Sequence, residues 1–262
     1  MSLKNIGLLT DFGIKDYYVS AIKNIIYTIN PQVNIIDISH NVNPWNIVQG
    51  AFVLKQSAKY FPKESILVGI IDPTVGSQRK NLIIQTDQHI YIGPDNGLLI
   101  PAAEEHGITK FFSIDETEYM FKRSGTFDGR DVFAPIAGHL SKGIPPEDLG
   151  SPINKVTLLK FKQSIIQKNT IHSSVLHVDT FGNLITNLSI NDFDNWAQSE
   201  KPIYIKIDKK SYPITLSSNY KNINKNIGLI KGSSDLIEIS MKQSSASNFL
   251  KLKPNDDLVI YQ

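Results

Sequence analysis

Four turns that carry carboxylates are the parts of this sequence best suited to chemistry, because each follows a predicted strand or precedes a predicted helix. They contain Asp11, Asp72, Asp95 and Asp128. Ligands of open α/β sheets bind just beyond the carboxyl ends of the strands, where catalysis usually occurs. Glycines in such turns let backbone amides approach a ligand, and carboxylates bind hydroxyl and ammonium groups rather than phosphates. The turns therefore predict a site for a hydroxyl-rich, cationic ligand.

The turn at Asp72 gives this interpretation its strongest support. Residues 66–71 form an apolar, β-branched run that predicts a strand buried on both faces, and Pro73 and Gly76 then turn the chain sharply. Arg79 follows seven residues after Asp72 and can fold back to its carboxylate. Asp72 could instead serve only as a turn cap or an ion-pair partner.

The other carboxylates also have structural alternatives. Asp11 or Asp16 could cap the helix that follows them, and Asp128 or Asp131 could cap the helix predicted at 132–140. A salt bridge to the neighbouring Arg130 is a second alternative for Asp131.

The first half of the chain has the pattern of an α/β layered domain with a mainly parallel central sheet. Strand–helix–strand passages are typical of parallel neighbours joined by right-handed crossovers. A hairpin and further elements follow these passages and extend the predicted domain to residue 151. The predicted strands are 6–9, 33–38, 66–71, 81–85, 89–92 and 111–112, and the predicted helices are 19–29, 47–59, 98–105 and 132–140.

A second domain is predicted from residue 152 to 262, after a Pro- and Gly-rich hinge at 143–150. Short alternating strands about ten residues apart predict an antiparallel sheet or small β-barrel. Residues 179–183 gather polar groups at a tight strand end, which turn chemistry explains as well as a ligand does. The predicted strands are 156–160, 171–178, 203–207, 212–216, 227–230, 236–239 and 258–261.

The amino-acid composition limits the classes of protein to which this chain can belong. A net charge of +2, from 27 basic and 25 acidic residues, argues against a nucleic-acid binder that works through a phosphate-neutralising face. The absence of cysteine excludes disulfides, thiolate catalysis and Cys-ligated metals. No apolar run approaches the ~18 residues of a membrane span, so no membrane partner is expected and the cytoplasm is the expected location. No nucleotide-phosphate loop is present, and we predict neither a cofactor nor a metal.

Six ordered motifs resemble those of the S-adenosylmethionine hydroxide adenosyltransferases, which are relatives of the adenosyl fluorinase and chlorinase. The resemblance spans nearly the whole chain. It implies a homotrimer in which the ligand lies where the α/β domain of one subunit meets the β-barrel of its neighbour. The motifs are Leu9-Thr10-Asp11-Phe12-Gly13, Asn43-Pro44-Trp45, Ile71-Asp72-Pro73-Thr74-Val75-Gly76 with Arg79, Pro94-Asp95-Asn96-Gly97-Leu98-Leu99, Phe127-Asp128-Gly129-Arg130-Asp131 and Phe181-Gly182-Asn183.

The resemblance implies substrate-binding roles in the first domain. Asp11 would accept hydrogen bonds from both ribose hydroxyls of S-adenosylmethionine or adenosine. Asp16 would lie near the ammonium group of the methionine part. Trp45 and Phe127 would form aromatic walls of the ribose and adenine pocket.

In the second domain, the resemblance implies that Asp179 lies near the methionine ammonium and that Asn183 contacts adenine. Ser233 and Ser234 would belong to a serine-rich turn around the methionine carboxylate and adenine. Halogenating relatives have an Arg where Ser234 stands.

Asp72 and Arg79 match two members of an Asp–Arg–His triad that holds the attacking water in hydrolytic relatives. Asp128 stands where the histidine is expected, with His139 as a more distant substitute. Two neighbouring carboxylates would require compensation by Arg79 or Arg130.

The activity that the resemblance implies is hydrolysis of S-adenosylmethionine to adenosine and methionine, by attack of water or hydroxide on the ribose 5′ carbon. One alternative is a halide-dependent adenosyl halogenase, which Asp72 disfavours because halide-using relatives carry Tyr there. The other is a protein that binds S-adenosylmethionine or adenosine without turnover, an alternative that Asp128 keeps open.

Overall fold

The chain forms two compact units, Met1–Lys160 and Phe161–Gln262, in a computed structural model that describes residues 4–115, 118–122, 124–198, 201–223 and 227–262. The domain boundary predicted after residue 151 stays a prediction. Of the helices in the described ranges, none is both long enough and apolar enough to cross a membrane.

The first unit has a seven-stranded sheet whose order is β2-β1-β3-β5-β4-β6-β7. β4 runs antiparallel to β5 and β6, and β7 antiparallel to β6, so five of the seven strands share one direction. This confirms the predicted α/β class with a mainly parallel sheet. The strands are β1 (Asn5–Thr10), β2 (Asn34–Ser39), β3 (Ile66–Ile70), β4 (Asn81–Thr86), β5 (Ile90–Pro94), β6 (Ile108–Ile114) and β7 (Gly150–Ile153).

Helices cover this sheet. Ile6, Leu8 and Val68 belong to the buried cluster that also contains the apolar side chains of α1 and α4. Gly69 points to the other side of β3, towards Leu54 of α2. The helices are α1 (Tyr18–Ile29), α2 (Ile47–Ala58), α3 (Ile100–Glu105) and α4 (Ala134–Ser141), with a π-helical turn at Gly129–Phe133 that runs directly into α4 and a 3₁₀ turn at Pro146–Asp148.

The second unit is a closed seven-stranded β-barrel, which confirms the predicted barrel, although the pair β12–β13 is parallel where only antiparallel pairs were predicted. Around the barrel the order is β9-β10-β14-β13-β12-β11-β15, and β15 pairs again with β9. β8 pairs with the first part of β9 outside this ring. Its elements are β8 (Ile165–Ile166), β9 (Thr170–Val178), β10 (Leu184–Ser189), α5 (Ile190–Trp196), β11 (Ile203–Ile207), β12 (Lys210–Ser217), a 3₁₀ turn (Tyr220–Asn222), β13 (Ile227–Lys231), β14 (Leu236–Ser240), α6 (Ala246–Leu250) and β15 (Asp257–Tyr261).

Two strand predictions in the second half differ from the structure. The strand predicted at 156–160 is wrong, because this stretch is an extended connection in which the Asp95 carboxylate accepts the Thr157 N–H at 2.7 Å. β10 was absent from the predicted strands because Thr186 and Asn187 interrupt its apolar pattern. Both side chains are buried and hydrogen-bonded. Thr186 donates to the Ile237 carbonyl at 2.8 Å, and Asn187 Oδ1 accepts from Ser173 and Ser174.

A buried histidine pair should make stability depend on pH. His89 is 2% exposed, and its ring lies 4.6 Å from that of His106. Burial, together with the neighbouring His106, lowers the pKa of His89 to about 4. The unfolded chain therefore binds a proton at this position more readily than the folded chain does, and this contribution to stability is lost as the pH falls from about 6.5 towards 4.

We expect acidification from pH 7.5 to pH 5 to lower the free energy of unfolding more in the wild type than in His89→Gln. The full His89 contribution is up to roughly 3 kcal/mol, of which pH 5 removes part. Urea unfolding at the two pH values measures the difference. Gln is the suitable replacement because it keeps a side-chain donor but does not titrate. Equal pH dependence in the two proteins would contradict the prediction.

Candidate active site

A pocket of about 260 Å³ lies in the first unit, where β1 and β3 end. Parallel strands end at the same edge of a sheet, so the turns that follow them meet there. The pocket is lined by three predicted site carboxylates and by both predicted aromatic walls, Asp11, Asp72, Asp128, Trp45 and Phe127. The structure thus brings together five residues that the sequence spreads over more than a hundred positions.

Two carboxylates of this pocket share the guanidinium of Arg79, a predicted site residue that is not itself part of the pocket lining. Arg79 donates from Nε to Asp72 Oδ2 at 2.8 Å, and from Nη2 to both Asp72 Oδ2 and Asp128 Oδ2, the latter at 2.7 Å. The side chains of Arg79, Asp72 and Asp128 are only 7%, 6% and 1% exposed. A desolvated cluster with one more negative than positive group is costly to maintain, which is typical of functional sites. Within the described residues, no group of three or more His, Asp or Glu side chains is arranged to hold a metal ion.

Every donor of Arg79 is engaged. Besides the carboxylates, Nη1 donates to Asn81 Oδ1 and, at 3.4 Å, to the Lys80 carbonyl. A guanidinium has five N–H donors, so Arg79 acts here as a clamp on the carboxylates. Asp72 Oδ1 accepts from both the N–H and the hydroxyl of Thr74, at 3.2 and 3.1 Å. Thr74 is exposed, and a water could replace its hydroxyl at Asp72 without breaking the clamp.

Asp11 is held by a backbone donor from another turn. Its Oδ2 accepts the Trp45 N–H at 2.8 Å. Trp45 has a φ of 64°, a left-handed conformation that costs a non-glycine residue of order 1–3 kcal/mol, and its side chain is 72% exposed. Burial raises the pKa of Asp11, opposed by backbone hydrogen bonds and assisted by the charge of Asp72. Strain at Trp45 is a feature of functional turns, and here it presents an indole at the mouth of a carboxylate pocket.

An aromatic cluster forms the opposite part of the pocket wall. The rings of Phe12, Tyr18 and Phe127 contact one another edge to face, with centroids 5.2 to 5.8 Å apart. The guanidinium of Arg130 lies 5.4 Å from the Phe127 ring centroid. Such a wall suits a planar base or a sugar face, and the cation next to it disfavours a second positive charge at that point.

Other predicted residues of this region lie outside the pocket lining. Asp131 pairs with Arg130 at 2.6 Å and accepts two hydrogen bonds from Ser124, so the salt-bridge alternative describes it. Burial would raise the pKa of Asp131, but the hydrogen bonds from Arg130 and Ser124 outweigh it and lower the pKa. Asp16 is exposed just before α1. His139 lies within α4, and burial lowers its pKa.

The second unit has a pocket of about 580 Å³ at the turn predicted to bind ligand. Two of the residues that line it, Asp179 and Asn183, were predicted from the sequence. Others were not predicted, because they come from distant segments of the chain. Among the described residues, the lining consists of Asp179, Phe181, Asn183, Tyr220, Met241, Gln243, Ser244 and Ser245.

The turn at Asp179 is built by its own carboxylate. Oδ1 accepts the N–H groups of Phe181 and Asn183 at 2.9 and 2.8 Å, and Oδ2 accepts Nδ2 of Asn183 at 2.8 Å. Gly182 has a φ of +82°, and a Cβ there would meet Ser245 Oγ at 2.1 Å. The turn therefore requires glycine, and it leaves the Phe181 ring 79% exposed beside the pocket.

A tyrosine–glutamate pair borders the same pocket. The Tyr220 hydroxyl donates to Glu238 Oε2 at 2.8 Å. Burial raises the pKa of Glu238; the hydrogen bond from Tyr220 opposes this shift and the charge of Asp179 adds to it. Neither residue lies in a recognisable motif, so neither was predicted from the sequence.

The predicted serines are not the ones that line this pocket. Ser233 and Ser234 lie in the turn between β13 and β14, and β14 pairs with β10 so that Leu236 is opposite Ser189. That is the end of β10 remote from Asn183. Ser244 and Ser245, in the second serine-rich segment at 243–247, line the pocket instead. Ser245 also caps α6, where its hydroxyl accepts the Asn248 N–H at 3.0 Å, and none of the motifs singled out in the sequence includes this segment.

The chain thus combines a unit built on an α/β sheet, with a carboxylate pocket at its strand ends, and a unit that is a closed seven-stranded barrel. Residues 6–150 match the SAM hydroxide adenosyltransferase N-terminal domain, and residues 173–259 match the SAM hydroxide adenosyltransferase C-terminal domain. The chain belongs to this family.

Individual relatives agree with this assignment. The chain is 35% identical to an (R)-S-adenosyl-L-methionine hydrolase of Methanocaldococcus jannaschii, over 97% of this chain and 95% of the relative. A fluorinase of Actinoplanes is 25% identical and covers 72% of this chain and 73% of its own length. The crystal structure of an uncharacterized conserved protein from Thermotoga maritima superposes with a TM-score of 0.92 at 31% identity, covering 98% of this chain and all of that one.

Proposed function

We propose that this protein hydrolyses S-adenosyl-L-methionine to adenosine and L-methionine. The observation that carries the proposal is the buried Asp72–Arg79–Asp128 cluster in the wall of a pocket that also contains Asp11. Membership of the family and the hydrolase name of the Methanocaldococcus relative support the same reaction.

The reaction is a displacement at the ribose 5′ carbon. The oxygen of a water forms a bond to this carbon while the bond from carbon to sulfur breaks, and its electron pair leaves with methionine as a neutral thioether. The departing sulfonium needs no acid, so the protein's work is to hold the water in line and accept its proton. Asp72 and Asp128 are the proposed acceptors, and Arg79 keeps both in place.

The pocket of the first unit supplies the proposed substrate contacts near the reacting carbon. Asp11 would accept from the ribose hydroxyls, which requires an ionised carboxylate acceptor. Trp45 and Phe127 would cover the ribose and base. Asp16 remains a proposed contact of the methionine ammonium.

The barrel pocket supplies the remaining contacts in this proposal. Asp179 and Asn183 keep their proposed roles near the methionine ammonium and adenine. The role first given to Ser233 and Ser234 is transferred to Ser244 and Ser245, which line that pocket.

We further propose a homotrimer in which the pocket of the first unit faces a neighbour's barrel. Apolar side chains near the two pockets support an interface, because exposed patches of this kind mark interaction sites. Ile14, Tyr17 and Trp45 near the first pocket are 77%, 64% and 72% exposed, and Phe181 at the barrel pocket is 79% exposed.

The halogenase alternative is disfavoured by electrostatics. Two carboxylates against one guanidinium would repel a halide, since unlike water it carries a full negative charge. A protein that binds S-adenosylmethionine or adenosine without turnover remains the second alternative, because Asp128 replaces the histidine expected in the triad.

Incubation of the purified protein with S-adenosylmethionine, with and without chloride, tests the three alternatives. We expect adenosine and methionine in equal amounts, unaffected by chloride. In H₂¹⁸O the label should enter the 5′ hydroxyl of adenosine, because water attacks that carbon. Formation of 5′-chloroadenosine would identify a halogenase. Calorimetric binding without either product would identify a binding protein and overturn the proposal.

A further inference from the structure

We propose that His40 is a positioning residue that fixes the Asp11 carboxylate for substrate binding. His40 lies immediately after β2 and has no role in the chemistry proposed above, and only 6% of it is exposed. The inference rests on the proposed function insofar as Asp11 binds the ribose.

His40 holds both ends of the turn that contains Asp11. Its ring Nδ1 lies 2.9 Å from the hydroxyl of Thr10, the residue just before Asp11. Its backbone carbonyl accepts the N–H of Gly13, two residues after Asp11, at 2.7 Å. One residue of the β2 loop therefore ties the first and the last residue of the segment 10–13.

The hydroxyl of Thr10 can donate to the ring of His40. Thr10 Oγ1 accepts the Phe12 N–H at 3.3 Å, which leaves its proton available for donation to Nδ1. Nδ1 is then the acceptor, and Nε2 carries the ring proton. Nε2 lies 3.0 Å from Asp37 Oδ1, a close charge contact whose angles fall outside those of a hydrogen bond.

The same network extends to the helix that follows the turn. Asp37 also binds Lys23 of α1, at 2.7 Å from Oδ2. Further along the loop that begins with His40, the N–H of Trp45 donates to Asp11 Oδ2 at 2.8 Å. The order of contacts is therefore from Lys23 through Asp37 and His40 to the Asp11 turn, and the ring of His40 is the central member.

Two substitutions of His40 separate its two ring contacts. The side-chain amide of His40→Asn occupies the place of Nδ1 and can still meet Thr10, whereas that of His40→Gln reaches the place of Nε2 and meets only Asp37. Thr10→Val removes the hydroxyl without changing the volume, and Thr10→Ser retains it as the conservative control.

We expect His40→Gln and Thr10→Val to raise the KM for S-adenosylmethionine about tenfold with kcat changed less than about threefold, the effect of losing about one hydrogen bond. His40→Asn and Thr10→Ser should stay near the wild type. The double variant Thr10→Val with His40→Gln should be no worse than Thr10→Val alone, because Thr10→Val already removes the contact that His40→Gln removes. An unchanged KM in both single variants would overturn the inference. So would a fall in kcat as large as the rise in KM.

Amide hydrogen exchange tests the inference independently of turnover. In His40→Gln and Thr10→Val, exchange should accelerate at the Gly13 and Trp45 amides, which report the turn and the seating of Asp11. The Phe12 amide is a test only in His40→Gln, because Thr10→Val removes its acceptor directly. Exchange at the β1 amides should stay as in the wild type. If the wild type makes no adenosine, the proposed function fails, whereas unchanged exchange at the Gly13 and Trp45 amides in both variants refutes the role of His40.

Discussion

Arg79→Gln is expected to lower the free energy of unfolding by about 3–5 kcal/mol, the cost typical of removing one partner from a buried ion pair. Arg79 is the guanidinium between Asp72 and Asp128, and all three side chains are at most 7% exposed. Without it, two carboxylates remain buried and adjacent. Glutamine retains an amide but cannot supply a charge or five donors.

A second substitution should recover part of this loss. Asp128→Asn removes one of the two buried charges, so the double variant Arg79→Gln with Asp128→Asn should be more stable than Arg79→Gln alone. Asp128→Asn by itself should cost less than Arg79→Gln, because Arg79 and Asp72 then form a neutral pair. This non-additivity is the signature of a coupled cluster.

Urea unfolding of the wild type and the variants at one protein concentration measures these differences. Lys231→Gln is the control, since Lys231 pairs with Asp194 at 2.6 Å with both side chains nearly half exposed. An exposed pair of this kind is worth less than about 1 kcal/mol. If Arg79→Gln fell within the range of the control, the cluster would not have the energetic importance given to it here.

The fold could be predicted from the sequence wherever the hydrophobic pattern coincides with burial. The run at 66–71 gave β3 because every residue of that strand is buried. The same reasoning failed at β10, where Thr186 and Asn187 are buried but polar, and at 156–160, where an apolar pattern lies in a connection. Pattern reports the polarity of side chains, whereas strand pairing depends on partners elsewhere in the chain.

Only part of the candidate site could be predicted from the sequence. The rule that ligands bind at strand ends identified Asp11 and Asp72 without knowledge of the fold. That rule cannot reveal that Asn81 would hold the far side of Arg79, or that Asp128, 49 residues from Arg79, would share its guanidinium. These contacts depend on side-chain directions that only the folded sheet determines.

We expect Asp72→Asn and Asp128→Asn each to lower kcat for adenosine formation by about 10²–10⁴-fold, the range for loss of a group that accepts a proton from the nucleophile. Asp72→Asn has an additional consequence. Each oxygen of Asp72 accepts two hydrogen bonds: Oδ1 accepts two from Thr74, and Oδ2 accepts two from Arg79. An introduced NH₂ group can accept none of them, so one side of the carboxylate's environment must lose its partners.

Asp11→Asn provides the contrasting variant in the same pocket. Its carboxylate is proposed to bind ribose hydroxyls rather than the nucleophile, so its loss should raise the KM more than it lowers kcat. Steady-state measurement of adenosine by chromatography separates the two parameters. Circular dichroism spectra of each variant exclude unfolding as the cause.

The Asp128 result decides between two accounts of this cluster. If Asp128→Asn loses kcat to the same extent as Asp72→Asn, the two carboxylates act together on the water, and a second aspartate performs the work of the expected histidine. If Asp128→Asn retained the wild-type kcat while Asp72→Asn lost it, Asp72 alone would accept the proton and Asp128 would only balance Arg79. Retention of kcat in both variants would remove the cluster from the reaction, because no charged acceptor of the proposed water would then be required.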